Sequence, residues 1–348
     1  YEILDEINYF YYLCNITFKY IKMEDLVTKQ LRKRFLKDFN LPIQVIQDPY
    51  FTERLELCGA TQDYNNLLEY IDTNYSGSYR AFLDAYAQIR DEIVTSCYNS
   101  EAFKLFNNSD IKGENPLIPQ RNLYTEEQDG NSFVSVDLKK ANFQALKYVN
   151  SEIVLNTDTY EGFIGKFTDS EYIKKSKYTR QVIFGKLNPK KTISIEKRII
   201  NKIYKPLNDK FNLTEYLEPY SMCTDEIIYK VKDNNNNVLT DLLCDKSLMM
   251  MEQIIKDTLG FEVRINYFGL KLHQFKLATS EAKVNSFTKL NHVTNEVSYA
   301  CIPSTYYPQI YKLINGLDVT KNDLVFYYEH ELATFLNPLV KLNKDNEI

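Results

Sequence analysis

An α+β fold is predicted for this 348-residue chain from three observations. The first hundred residues carry apolar side chains at helical spacing. The middle of the chain switches to short strand patterns, "FVSV" at 133–136 and "IIYKV" at 227–231. The last part opens on a strand-length run, "FEVRINYFGLKLHQFKLA". A chain of this length exceeds what one hydrophobic core usually covers, so two or three subdomains are expected.

The elements follow in order. Leu26, Leu31, Phe35 and Phe39 recur at roughly helical spacing, and Phe82, Tyr86, Ile89 and Ile93 repeat the pattern. Between them "LPIQVIQDPYF" reads as an extended apolar run closed by Pro49. The Asn, Gly and Pro residues of "FNNSDIKGENPLIPQR" mark the best domain boundary. Phe133, Val134 and Val136 then make a strand, and "KKANFQALKYV" resumes a helical pattern, so Asp137 falls where a strand gives way to a helix. A basic stretch follows, read as mostly helical up to Pro206. "SMCTDEIIYKV" reads as a strand, a tight turn at 224–226 and a second strand, followed by an Asn-rich turn at 234–237. "SLMMMEQIIKDTLG" reads as a helix ended by Gly260, its Met side chains filling core gaps. The closing segments read as mixed, with helix favoured. The predicted organisation is a helical region 1–112, a central region 113–245 holding a basic segment at about 158–212, and a C-terminal region 246–348.

Composition narrows the classes. Net charge is −5, so the protein is no polycation, yet 174–205 holds eleven Lys or Arg against one acid, Glu196. That asymmetry favours a local anion-binding surface. A second basic cluster, Lys29, Arg32, Lys33 and Arg34, reads as a helix surface ahead of the alternative, a nucleic-acid site. The six Cys are scattered with no CxxC pair, which argues against a zinc ribbon or disulfide framework and fits a reducing, cytoplasmic interior, or the host cytoplasm or virion if the protein is viral. Three distant His residues make a His-based metal site a poor expectation. No apolar run approaches the length of a membrane span, and the first residues carry acids where a signal peptide needs bases. The chain starts at Tyr, so it is expected to belong to a longer product. Abundant Asn, Lys, Ile and Tyr fit an AT-rich coding genome such as that of a virus or phage.

Asp137 after a strand, a basic helical stretch, and Asp225 with Glu226 in a hairpin turn form an ordered set. Phosphoryl transfer to a hydroxyl needs such a set. Two Mg²⁺ ions about 3.5–4 Å apart activate the attacking hydroxyl and neutralise the leaving pyrophosphate. Mg²⁺ takes hard carboxylate oxygens, and a Lys or Arg steadies the polyphosphate. The plainer readings are that Asp137 caps the following helix and that Asp225–Glu226 is a polar hairpin tip.

The order and local sequences resemble motifs A, B and C of the palm domain of template-directed nucleic-acid polymerases. "FVSVDLKKANFQAL" resembles motif A, with Asp137 as metal ligand. "CTDEIIYKV" resembles motif C, with Asp225 as metal ligand and Glu226 as auxiliary acid; it is similar to both the family B and the family A forms. "KYTRQVIFGK" resembles motif B, with Lys177, Gln181, Phe184 and Gly185 at the family B positions and Arg180 at the family A triphosphate position. The resemblance implies a palm with an antiparallel sheet and packed helices, a helical fingers insertion and a mixed, thumb-like C-terminal subdomain. It implies two Mg²⁺ ions, with Mn²⁺ as the alternative, held by Asp137 and Asp225. Lys177 or Arg180 would contact the incoming nucleoside triphosphate, Phe184 and Gly185 would lie near the nascent pair, and Lys186, Lys190 and Lys191 would hold primer and template. Asn142 stands where the families carry a gate against the ribose 2′-OH. Gln181 and Phe184 replace Asn and Tyr of family B, and Cys223 stands where family B often has Asp. These departures leave two other functions open: a nucleic-acid-binding or scaffold protein without turnover, and a template-independent transferase or primase. Further chains of a larger complex are compatible with each.

Overall fold

Phe133, Val134 and Val136 favour extended backbone, and they lie in β1 (Ser132–Leu138), the strand around which the fold is built. The structure is a computed structural model that describes residues 26–211, 213–232, 243–276, 283–329, 331–335 and 339. These form an α+β protein with a six-stranded antiparallel sheet and packed helices. The other strands are β2 (Leu217–Met222), β3 (Glu226–Val231), β4 (Val263–Lys276), β5 (Lys283–Asn291) and β6 (Val297–Ala300), in the spatial order β2-β3-β1-β4-β5-β6. A separate hairpin pairs β7 (Val325–Tyr328) with β8 (Glu331–Thr334).

Alternation along the strands divides the sheet into two unlike faces. Val134, Val136, Leu138, Ile227, Tyr229, Val263 and Ile265 point into the main core and meet the helices. Phe133, Ser135 and Asp137 occupy the other face. There Phe133, Tyr220, Phe268, Leu270 and Phe287 form a small second cluster with Leu123, and Asp137 lines a cavity beside it.

The helical half begins with helix α1 (26–38), followed by α2 (Tyr50–Leu57), α3 (Thr61–Tyr75), α4 (Tyr79–Asn99) and α5 (Glu101–Asn108). Leu31, Phe35, Phe82, Tyr86 and Ile93 of the predicted stripes are buried. They belong to the same continuous core as the helix-facing side of the sheet. Downstream lie α6 (Ala141–Val149), α7 (Tyr160–Ile164), α8 (Glu171–Lys175), α9 (Lys177–Lys186), α10 (Pro189–Phe211), α11 (Leu213–Tyr216), α12 (Asp245–Leu259) and α13 (Tyr307–Ile314).

Several expectations need correction. Helix α10 runs through Pro206 rather than stopping there. Its apolar stripe of Ile195, Ile199, Ile203 and Leu207 is buried. Each such side chain contributes roughly 1.5–3 kcal/mol, which outweighs a proline cost of about 3 kcal/mol. Of the three consecutive Met side chains of α12, only Met251 is buried, and Met249 and Met250 are exposed, because one face of a helix cannot take three neighbours. Gly260 does end that helix, in the left-handed region at φ 76°. The C-terminal region is richer in strand than expected, since β4, β5 and β6 complete the large sheet. The segment 110–125 has no regular secondary structure except for short turns, yet it is strapped down. Arg198 pairs with Glu114 at 3.0 Å, and Arg121 N donates to Ser221 Oγ at 2.8 Å. The Asn-rich turn at 234–237 lies outside the described residues. No helix among the described residues is long and apolar enough to cross a membrane.

Candidate functional site

Asp137 is the next-to-last residue of β1, on the sheet face opposite the main core. It does not cap the following helix: α6 starts four residues later, its N-cap is Lys140 at φ 51°, and no side chain serves as cap. Antiparallel register sets Asp137 directly opposite Glu226 on one side and Arg264 on the other. Directly opposed residues share a face, so all three side chains emerge together. Asp225 is fastened beside them: its carbonyl accepts from Leu138 N at 2.8 Å, and Cys223 N donates across the turn to Glu226 O at 2.9 Å. Cys223 Sγ also donates to Asp225 Oδ1 at 3.6 Å. The hairpin tip is therefore built against the end of β1, not free in solvent. The three acids share a cavity of about 490 Å³ with Ser135, Asn266 and Lys289.

The charges in this cavity are unbalanced. Arg264 Nη2 donates to Asp137 Oδ2 at 3.0 Å. Burial raises the Asp137 carboxyl above its ordinary range, opposed by Arg264 and Arg180 and reinforced by Asp225. Burial likewise raises Glu226, with Lys289 opposing and the two Asp residues adding to the shift. Glu196, on α10, is 3% exposed and is pushed up to about 7, first by burial and then by Asp225. Asn142 Nδ2 donates to its Oε1 at 2.8 Å. The acids thus gather with fewer cations than carboxylates, an arrangement that a divalent ion would relieve. Among the described residues no three His, Cys, Asp or Glu side chains form a preformed metal cage. Two carboxylates with water and substrate oxygens suit Mg²⁺, which keeps part of its hydration.

The predicted site residues divide. Asp137, Asp225, Glu226, Asn142 and Arg180 are brought into one neighbourhood, Arg180 lying 5.7 Å from the Tyr160 ring and close enough to Asp137 to lower its pKa. Lys177 is exposed at the start of α9. Phe184 is buried against Tyr160, with ring centroids 6.2 Å apart, so it packs in the core instead of facing the acids. Gly185 is exposed, with open space around it. Gln181 faces α1, away from the acidic cavity. Lys186 pairs with Asp91 of α4 at 3.3 Å. Lys191 donates to the carbonyls of Phe106, Asn107 and Ser109 at the end of α5, a capping role. Lys190 is exposed.

Three residues escaped the sequence reading: Arg264, Lys289 and Glu196 as a member of the site. Arg264 and Lys289 reach the acids through strand register, which no local pattern signals. Glu196 had a signal. It is the lone acid of the basic stretch, and it sits three and four residues before Ile199 and Ile200 on the apolar stripe.

Glu196 also gives a stability prediction. Its folded value of about 7 lies above the ordinary 4.5. The native state therefore binds a proton more tightly than the unfolded chain. The resulting stabilisation is complete below pH 4.5 and is lost as pH rises through about 7. Glu196→Gln keeps the acceptor for Asn142 and removes the titration. In metal-free buffer the variant is expected to melt higher than the parent at pH 8, by about 3 kcal/mol, with no difference at pH 4. Parallel melting curves at both pH values would disprove the assignment.

No protein-family model matches this sequence, and no curated protein matches it.

Proposed function

We propose that the chain is a compact palm-type nucleotidyltransferase that extends a nucleic-acid primer along a template. The observation that carries this reading is the meeting of Asp137 at the end of β1 with Asp225 and Glu226 at the adjacent hairpin, in one cavity on an antiparallel sheet. Asp137 sits on β1 and Asp225 in the adjoining turn that Leu138 N ties to it, and positional error of about 1 Å at a reacting centre costs roughly a hundredfold in rate. Asp137 and Asp225 would hold two Mg²⁺ ions, which supply activation of the primer hydroxyl and neutralisation of the departing pyrophosphate. Arg180, on α9, would meet the polyphosphate of the incoming nucleotide, with Lys177 at the exposed end of the same helix. Glu226 would add negative charge beside the ions. Arg264 pairs with Asp137 at 3.0 Å and would give way to a bound divalent cation.

The departures at motif B favour a second reading. Phe184 is buried and Gln181 points away from the acids, so the nucleotide-contacting helix has lost two of its expected contacts. A protein that binds nucleic acid without turnover would have this pattern.

A labelled primer annealed to a template, incubated with the protein, Mg²⁺ and nucleoside triphosphates, separates these readings. Templated, Mg²⁺-dependent extension is the expected result. Extension of the same primer without template points to a template-independent transferase. Salt-sensitive binding with no extension in Mg²⁺ or Mn²⁺ would sink the catalytic reading.

A further inference from the structure

Part of the basic cluster on α1, expected to be solvated surface, is built into a groove against α9. Arg34 Cζ lies 4.8 Å from the centroid of the Tyr178 ring, and Lys37 Nζ lies 5.3 Å from the same centroid. Lys33 and Lys37 are one helical turn apart and both exposed. They flank a concavity of about 390 Å³ that Tyr178 and Gln181 close from the α9 side. No carboxylate lines it. Among the described residues neither lysine is ion-paired within 4.0 Å, unlike Lys186, which pairs with Asp91. In a chain of net charge −5, a groove with two lysines and no acid is a local exception.

Its chemistry is not only cationic. Asn40, Gln44 and Gln181 set planar amides around an apolar floor of Leu36, Ile43 and Ile46. Gln44 Nε2 donates to Ser304 Oγ at 2.7 Å, while its Oε1 is buried with no hydrogen-bond partner. Arg34 Nη1, beside Tyr178, is likewise buried and unpartnered. An orphaned buried polar atom is costly, and a polar group bound in the groove would relieve Gln44 Oε1, which belongs to its lining. Helix α9 thus has two working sides. Arg180 lies over the Tyr160 ring within electrostatic reach of Asp137, and Tyr178 with Gln181 lines the groove.

We propose that the groove between α1 and α9 binds a single-stranded nucleic acid, its phosphates held by Lys33 and Lys37 and a base set against the amides and the apolar floor. A concavity of this size admits one nucleotide unit. A duplex keeps its bases stacked inside and offers only phosphates to such a recess. Positive grooves with aromatic side chains are the usual solution for single strands, and phosphate contacts supply affinity without sequence choice. An acidic peptide would satisfy the lysines and, through its backbone, the amides, but its carboxylate side chains offer no flat apolar face to the floor of Leu36, Ile43 and Ile46. The inference stands apart from turnover at Asp137, because it requires binding alone.

The test is fluorescence anisotropy of a labelled twelve-nucleotide oligo(dT), read over a series of salt concentrations. The parent is expected to bind with a clear salt dependence. Lys33→Glu with Lys37→Glu is expected to weaken binding at least tenfold. It should also flatten the slope of log affinity against log salt by about 1.4, from two lost phosphate contacts at roughly 0.7 each. Lys104→Glu with Lys321→Glu, an equal charge change at exposed sites elsewhere, is expected to stay within about twofold of the parent. Circular dichroism melting checks that the variants fold. The proposal is overturned if the parent fails to bind, if both double variants weaken binding equally, or if the Lys33 and Lys37 variant keeps the parent's affinity and slope. Equal or tighter binding of a labelled oligoglutamate would assign the groove to acidic peptides instead. Binding that meets these criteria without any primer extension would leave the groove assigned while removing the catalytic reading.

Discussion

Asp225→Asn is expected to lower Mg²⁺-dependent primer extension by at least about a thousandfold while leaving the protein folded. Asn has the size and shape of Asp, and the contact that ties this turn to the sheet uses the Asp225 backbone carbonyl, bonded to Leu138 N at 2.8 Å. The substitution leaves that bond in place. What it removes is one negative charge from a cluster that includes Asp137 and Glu226, and with it an anionic oxygen for a divalent ion. Thermal stability should be unchanged or slightly higher in metal-free buffer. Asp225 now raises the carboxyls of Asp137, Glu226 and Glu196, and its neutralisation relieves that repulsion. Asp137→Asn should lose activity to a similar degree, since it removes the facing carboxylate. Its thermal behaviour should differ, because Arg264 loses its partner at 3.0 Å. Extension rates and melting curves on the same preparations decide the matter. A folded Asp225→Asn protein that extends primers at the parent rate refutes the assignment of these acids to the reaction.

How far such a site can be read from sequence depends on how local its determinants are. The end of β1 at Asp137 and the turn at Asp225 were legible because strand propensity and turn composition act over a few residues. Their convergence is a matter of register, fixed by pairings such as Val136↔Ile227 that only the folded sheet defines. Arg264 is 127 positions from Asp137 and reaches it through β4. No short-range pattern could supply that contact. The basic stretch was legible as charge but not as geometry. Along one run, Arg180 lies over Tyr160, Lys186 pairs with Asp91 and Lys191 reaches the end of α5. Helical rotation decides among these destinations, and rotation is set by which apolar side chains win burial. Phe184 illustrates the point, because a residue expected beside a substrate is instead held in the core by Tyr160.

Asp38→Ala is expected to destabilise the protein by about 3 kcal/mol and to weaken the α1–α9 groove without disturbing the acids of the sheet. Asp38 is 2% exposed, and its carboxylate accepts from Tyr86 Oη at 2.8 Å, Tyr172 Oη at 2.7 Å and Ser176 Oγ at 2.8 Å. Those donors come from α4, α8 and the N-cap of α9, so one side chain of α1 joins three helices. Alanine leaves the donors without their acceptor and leaves Arg34 without the nearby negative charge. Asp38→Asn should cost less, since its carbonyl still accepts and its amide can donate to a tyrosine hydroxyl. The pH dependence has a definite sign. Burial raises the Asp38 carboxyl above its ordinary 3.8, outweighing the three hydroxyls and Arg34. Its contribution is therefore largest at acid pH and declines as pH rises above that value, so the deficit of the Asn variant should shrink toward neutral pH. Because Ser176 caps α9, loosening this joint should shift Tyr178 and Gln181 relative to Lys33 and Lys37. Oligonucleotide affinity should then fall together with stability, even at temperatures where the protein remains folded. Unaltered melting and unaltered oligonucleotide binding in Asp38→Ala would mean that packing of Phe35 and its neighbours, rather than this buried carboxylate, holds α1 against α9.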